Sequence, residues 1–152
     1  MNATSPAGAT VVYSASASDL VDPSPTLSCV PPSGSVFPIG TTTVNCTATD
    51  DRGNSAAGSF TVRVKGPGEQ IAALMDKTTA LVNSAVLRIG LRATLQAAAG
   101  ALLLPAPVGK PVACAALTVY INAVNSPRAP ITPQNKASLT ADANRIRAVI
   151  GC

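Results

Sequence analysis

The stretch Gly34-Ser35-Val36-Phe37-Pro38-Ile39-Gly40-Thr41-Thr42-Thr43-Val44-Asn45-Cys46-Thr47-Ala48-Thr49-Asp50-Asp51-Arg52-Gly53-Asn54 decides the fold. It opens on a turn at Pro38-Ile39-Gly40, continues as an alternating run from Thr41 to Thr49, and closes on a second turn at Gly53-Asn54. Within the run Val44, Cys46 and Ala48 share one face, while Thr43, Asn45, Thr47 and Thr49 share the other. One apolar and one hydroxylated face at period two is the pattern of a half-buried antiparallel strand.

The same pattern repeats on both sides of that stretch. Val11, Tyr13 and Ala15 share a face, as do Leu27 and Cys29; Phe60, Val62 and Val64 read as inward, with Thr61, Arg63 and Lys65 outward. Short alternating runs separated by turn residues predict an antiparallel sandwich over residues 1–65. Cys29 and Cys46 fall on inward positions of different strands, which suits a cross-strand or a cross-sheet bridge. Its loop would contribute about 3 kcal/mol by restricting the unfolded chain.

Lys65-Gly66-Pro67-Gly68 marks a boundary, with residues 66–68 as a Gly/Pro linker, and helical spacing begins behind it. Ile71, Leu74, Met75, Thr78, Leu81 and Val82 form one stripe, and Leu91, Leu95, Ala98 and Leu102 a second. Pro105-Ala106-Pro107-Val108-Gly109-Lys110-Pro111 reads as a loop, and Cys114, Leu117, Ile121 and Val124 mark a third helix ended by Ser126-Pro127. Thr132 as N-cap with Pro133 at the first helical position starts a fourth, whose buried face is Leu139, Ala143, Ile146, Val149 and Ile150. Gly151 stops it. Helices three and four, joined by a short loop, run antiparallel, so Cys114 meets Cys152 and a disulfide clamps the C-terminus. The expected architecture is an all-β immunoglobulin-like sandwich (1–65) followed by an all-α four-helix bundle (69–152).

Composition narrows the function. Of 152 residues 47% are hydrophobic, yet only 3% are aromatic and none is Trp, so the core is built from small side chains. Histidine is absent, which excludes Ser-His-Asp and Cys-His catalysis and the commonest zinc ligand. Four cysteines without a CxxC pair point to two structural disulfides and an oxidising compartment. The opening Met1-Asn2-Ala3-Thr4-Ser5-Pro6 is polar and is no signal peptide; a secreted chain would have lost its signal or carry it upstream. The apolar run Ala97 to Leu104 is too short to span a membrane.

Few residues are candidates for chemistry. Asp19, Asp22, Asp50 and Asp51 are the only carboxylates of the β half, and their spacing matches no calcium loop; turn roles explain Asp50 and Asp51 equally well. The seven acids of the chain contain no marked pair for glycoside hydrolysis. No cofactor, metal or catalytic residue is expected, and the chain reads as a non-enzyme. Asn2 and Asn45 stand in formal glycosylation sequons. The threonine row on the outer strand face is an ordinary solvated face or a flat recognition surface. Net charge divides as −1 in the β half and +5 in the helical half. The basic residues are scattered without an arginine run, which disfavours nucleic acid.

Two stretches resemble known families. Pro6-Ala7-Gly8-Ala9-Thr10-Val11-Val12-Tyr13, the run Ser28 to Val44, and Cys46-Thr47-Ala48-Thr49-Asp50 with Gly53-Asn54 are similar to the hyalin-repeat (HYR) domain. That resemblance covers residues 3–65 and implies an immunoglobulin-like sandwich of extracellular, adhesion-associated proteins. Members of that family begin with a further β segment, ahead of the part matching Ala3-Thr4-Ser5-Pro6. The expectation is therefore a sandwich lacking its first strand, either as part of a longer chain or completed by another chain through strand addition. The helical half resembles, less specifically, the FIMAH-type domain of secreted bacterial proteins, through residues 113–117, 120–124, Leu139 and 143–152.

The expected protein is a secreted, non-catalytic structural or adhesion protein that works through protein partners or copies of itself, up to a polymer or filament. The alternative is an accessory module of a larger secreted enzyme or adhesin, with polysaccharide as the ligand.

Overall fold

A computed structural model describes residues 1–18 and 24–152. The β half contains two small antiparallel sheets. Strand β1 (Ala9–Thr10) pairs with β3 (Val36–Phe37), and β2 (Thr26–Val30), β4 (Gly40–Thr49) and β5 (Ser55–Val64) form a second sheet in the order β2-β4-β5. The expectation of a sandwich is met only loosely, because β1 and β3 are two residues each. The run Val11 to Ala15, expected as a strand, is irregular chain. Tyr13 still faces the interior there. Its ring packs edge-on against Phe37 and Phe60, and its hydroxyl donates to the Pro31 carbonyl at 2.6 Å. Asp19 and Asp22 lie outside the described residues.

The alternation in β4 and β5 is observed as read. Val44 and Val64 are fully buried, Cys46, Phe60 and Val62 are half-buried, and Thr43, Asn45, Thr47, Thr61 and Arg63 are exposed. Cys29 stands directly opposite Cys46 in the β2–β4 register, with their Cα atoms 4.0 Å apart. The bridge is therefore cross-strand, within one sheet. So close an approach suits a pair that exchanges no backbone hydrogen bonds, where antiparallel strands come nearest. Gly8, at φ +120°, lets the chain pass β3, since a Cβ there would lie 1.9 Å from the Phe37 carbonyl oxygen.

Four helices follow: α1 (Pro67–Leu81), α2 (Ala85–Ala101), α3 (Ala106–Asn125) and α4 (Pro133–Ile150). They pack as a bundle around Ile71, Leu74, Val82, Leu91, Leu95, Leu117, Tyr120, Val124, Leu139 and Ile146, all at most 1% exposed. Helix α1 starts at Pro67, inside the stretch expected as linker, because proline at the first helical position loses no intrahelical hydrogen bond. The start of α4 is as expected. Thr132 accepts from the Asn135 amide at 3.3 Å, and Gly151 ends the helix in the left-handed conformation. Cys114 and Cys152 are bonded, with Cα atoms 5.7 Å apart.

The expected loop at residues 105–111 is a correction: α3 begins at Ala106 and carries Pro111 inside it. Pro107 occupies the first turn, where a missing N–H costs nothing, so only Pro111 removes a helical bond. Tertiary packing compensates. Gly109 is buried against the end of α2, where a Cβ would lie 2.2 Å from the Ala101 carbonyl oxygen, and a larger residue would hold the helix start away.

Inside the bundle Tyr120 is fully buried, and its hydroxyl lies 2.7 Å from Thr78 Oγ1, which itself donates to the Leu74 carbonyl. Burial pushes the Tyr120 phenol up from 10.0 to about 12, and the nearby Asp142 charge adds to the rise while the Thr78 hydrogen bond opposes it. A raised folded-state pKa means that the stabilisation is complete below pH 10 and is lost as pH climbs toward about 12. Replacing Tyr120→Phe should cost about 1 kcal/mol at neutral pH. It should also flatten the alkaline arm of the stability curve in denaturant titrations. An unchanged arm would show that Tyr120 is not the group responsible.

Candidate interaction surface

Two features of the β half meet at the end of β5. The first is a closure. The N-terminal ammonium of Met1 donates to the Arg63 carbonyl at 2.8 Å, the Lys65 amide donates to the Met1 carbonyl at 2.8 Å, and the Ala3 amide donates to the Lys65 carbonyl at 3.0 Å. Residues 1–3 thus run parallel to β5 and cover its last turn of edge. The second is an opening. β5 is an outer strand of its sheet, and from Ser55 to Thr61 its outer edge meets no strand among the described residues.

The closure depends on one side chain. Gln70, on α1 and 2% exposed, donates from Nε2 to the Ala3 carbonyl at 3.1 Å and to the Lys65 carbonyl at 3.0 Å. Its Oε1 accepts from Arg145 Nε on α4 at 3.0 Å. Arg145 continues to Asp142 Oδ1 at 2.8 Å, and Asp142 also takes Lys77 of α1. Partial burial works against the Asp142 carboxylate, but the hydrogen bonds and charges of Lys77 and Arg145 win and hold it below its ordinary range. Val149 of α4 completes the junction by packing with Ala3, Phe37, Val44 and Val64 in the core of the β half. Sequence reasoning missed this network. A signal existed, because Gln70, Leu74 and Thr78 repeat at helical spacing on the buried stripe of α1, and a glutamine on such a stripe needs partners.

The sequence-derived candidates are dispersed. Asp50 is a turn residue: Oδ1 accepts from the Arg52 and Asn54 amides at 2.9 and 2.8 Å, and Oδ2 accepts from Asn54 Nδ2 at 2.8 Å. The side-chain bond from Asn54 leads in holding its carboxyl below the ordinary range; desolvation opposes it, and the backbone amides of Asn54, Arg52 and Gly53 assist. No group of three or more metal-ligating side chains occurs among the described residues. Asn2 and Asn45 are exposed, on the N-terminal segment and the outer face of β4. Thr43, Thr47 and Thr61 share that outer face, facing solvent. The four aromatic rings are buried or half-buried: Phe37 and Tyr120 fully, Tyr13 and Phe60 partly.

Residues 6–64 match the family model of the HYR domain. No curated protein and no solved structure matches the chain. The match points to an extracellular adhesion-type module, and the two disulfides are consistent with an extracellular location.

The junction gives a direct test. Gln70→Ala strands the Ala3 and Lys65 carbonyls and the Arg145 guanidinium, and should destabilise the protein by about 2 kcal/mol. Backbone amides of Ala3 and Lys65 should then exchange with solvent much faster, while those in the middle of α3 exchange as before. Unchanged protection at Ala3 and Lys65 would show that Gln70 does not hold the N-terminal segment on β5.

Proposed function

We propose that this chain is a non-catalytic, extracellular structural or adhesion module that works through protein–protein contacts, chiefly with copies of itself. Its extended form is a polymer outside the cell. The observation that carries the reading is the outer edge of β5, where backbone donors and acceptors from Ser55 to Thr61 meet no strand among the described residues. Such an edge is a template for an added strand. Proteins that guard edges do so with charge, proline or a bulge, and Ser55-Ala56-Ala57-Gly58-Ser59-Phe60-Thr61 contains none of these in an unbroken register with β4. Arg63 and Lys65 come only where Met1 to Ala3 already cover the strand.

The chemistry elsewhere supports the same reading. Among the described residues Asp50 is held in a turn, and Glu69 and Asp142 are held in ion pairs. Polysaccharide as the ligand lacks the exposed aromatic platforms that sugars stack on, since all four rings turn inward. The helical half, for which we keep the resemblance to FIMAH-type domains, serves here as the rigid support that seats the N-terminal segment.

The test is association in solution. The chain should self-associate with rising concentration in sedimentation velocity. Ala57→Pro removes an outward amide while sparing the β4 ladder, and should weaken association more than about tenfold with the monomer still folded by circular dichroism. Ala57→Lys should act in the same direction through like-charge repulsion. A parent chain that stays monomeric up to its solubility limit would overturn the proposal.

A further inference from the structure

The outer edge of β5, unpaired among the described residues from Ser55 to Thr61, has a symmetry that bears on how a second copy fits it. Met1 and Ala3 reach the backbone of Arg63 and Lys65 from outside the sheet, so the odd-numbered residues of β5 turn their N–H and C=O groups outward. The even-numbered residues bond β4, as strand alternation requires and as the pairs Gly40↔Val64, Thr42↔Val62 and Val44↔Phe60 agree. The outward groups with no partner strand among the described residues therefore belong to Ser55, Ala57, Ser59 and Thr61. This set is evenly spaced about Gly58, and the covered Arg63 and Lys65 bound it on one side while the Asp50–Asn54 turn bounds it on the other.

We propose that two copies of the chain join β5 to β5 in antiparallel register about a two-fold axis at Gly58, fusing two three-stranded sheets into one of six. This deepens the self-association proposed above and rests on it. In this register Ser55 faces the second copy's Thr61 and Ala57 faces the second copy's Ser59, so every free outward group finds a partner. An antiparallel pair of this length exchanges about eight backbone hydrogen bonds. A shift by two residues toward the C-terminal end would demand the Arg63 carbonyl, which already accepts from the Met1 nitrogen.

The inner face agrees. Ala56 is exposed there and would lie opposite the second copy's Phe60, a small residue against a ring, with the two Gly58 residues facing each other at the axis. No charged side chain lies between Ser55 and Val62, so nothing repels an identical strand, whereas a partner strand rich in charge would find no counter-charge. A two-fold contact closes on itself, so β5 pairing alone yields a dimer. Growth into a polymer would use a second, separate contact.

Cross-linking between variants that each add one cysteine to the four disulfide-bonded ones reads the register. Ala57→Cys and Ser59→Cys both sit on the outer sheet face, away from the Cys29–Cys46 bridge on the inner face. Directly opposed residues of a hydrogen-bonded pair are about 5.5 Å apart at Cα, within disulfide reach. Mixing Ala57→Cys with Ser59→Cys under mild oxidation should form covalent dimers several-fold faster than either variant alone, with the linkage placed by peptide mass mapping. Faster linkage of each variant to itself would indicate a parallel, in-register pair and overturn the two-fold arrangement. Association that persists without cross-linking in any combination would also overturn it while leaving self-association standing. A chain that does not associate at all would remove both.

Discussion

The amide of Gln70 is the interaction on which the arrangement of this protein depends. It is a polar group buried at the meeting of a strand end, a chain terminus and two helices, and it satisfies three partners at once. Burying such a group without partners costs roughly 1–3 kcal/mol, so the site is stable only when all of its neighbours are in place. The N-terminal segment, the Lys65 carbonyl and Arg145 are therefore held together as a set. Val149 adds an apolar contact to the same junction, carrying the last turn of α4 into the core of the β half.

That junction also determines which part of the sheet is closed. Met1 to Ala3 lie against Arg63 and Lys65 because Gln70 grips the Ala3 and Lys65 carbonyls from the other side. Arg63 of β5 and Lys65 just beyond it are at the covered end, and the uncharged residues are at the open end. In the same sheet the Cys29–Cys46 bridge ties β2 to β4 where the strands approach most closely. With β4 held on one side by a covalent bond and on the other by the full ladder to β5, the sheet is a firm support for a free edge. A firm edge offers its backbone groups already aligned, which reduces the ordering cost of adding a strand.

Much of this is legible in the amino-acid sequence alone. Period-two alternation located the inward faces of β4 and β5, and helical stripes located the buried faces of all four helices. Thr132, Pro133 and Gly151 marked both ends of α4, because capping is a local interaction that neighbouring residues decide. The Cys114–Cys152 bridge followed from two antiparallel helices joined by a short loop. Other elements were not legible. Pro105 to Pro111 reads as a loop because prolines disfavour helix. The helix forms there nonetheless, since Gly109 permits contact with the end of α2 and tertiary burial outweighs one lost hydrogen bond. Val11 to Ala15 alternates like a strand but is irregular chain: Val11 exchanges backbone hydrogen bonds with Gly34 and Ser35, and Tyr13 uses its ring and hydroxyl to hold the segment in place.

Legible in the chain alone were the inward faces of β4 and β5, the buried stripes of the helices, both ends of α4, the pairing of the cysteines into disulfides and the lack of histidine. Each of these follows from residue identity and spacing along a few turns or a few strand positions. Tertiary contacts alone make Cys29 and Cys46 neighbours in one sheet, let Gln70 join the two halves, and leave β5 from Ser55 to Thr61 without a partner strand on its outer edge among the described residues, while Met1 to Ala3 cover it beyond. Those depend on which segments, distant along the chain, supply backbone partners to one another. Local pattern cannot say this, because every strand carries the same donors and acceptors whether or not another segment reaches them.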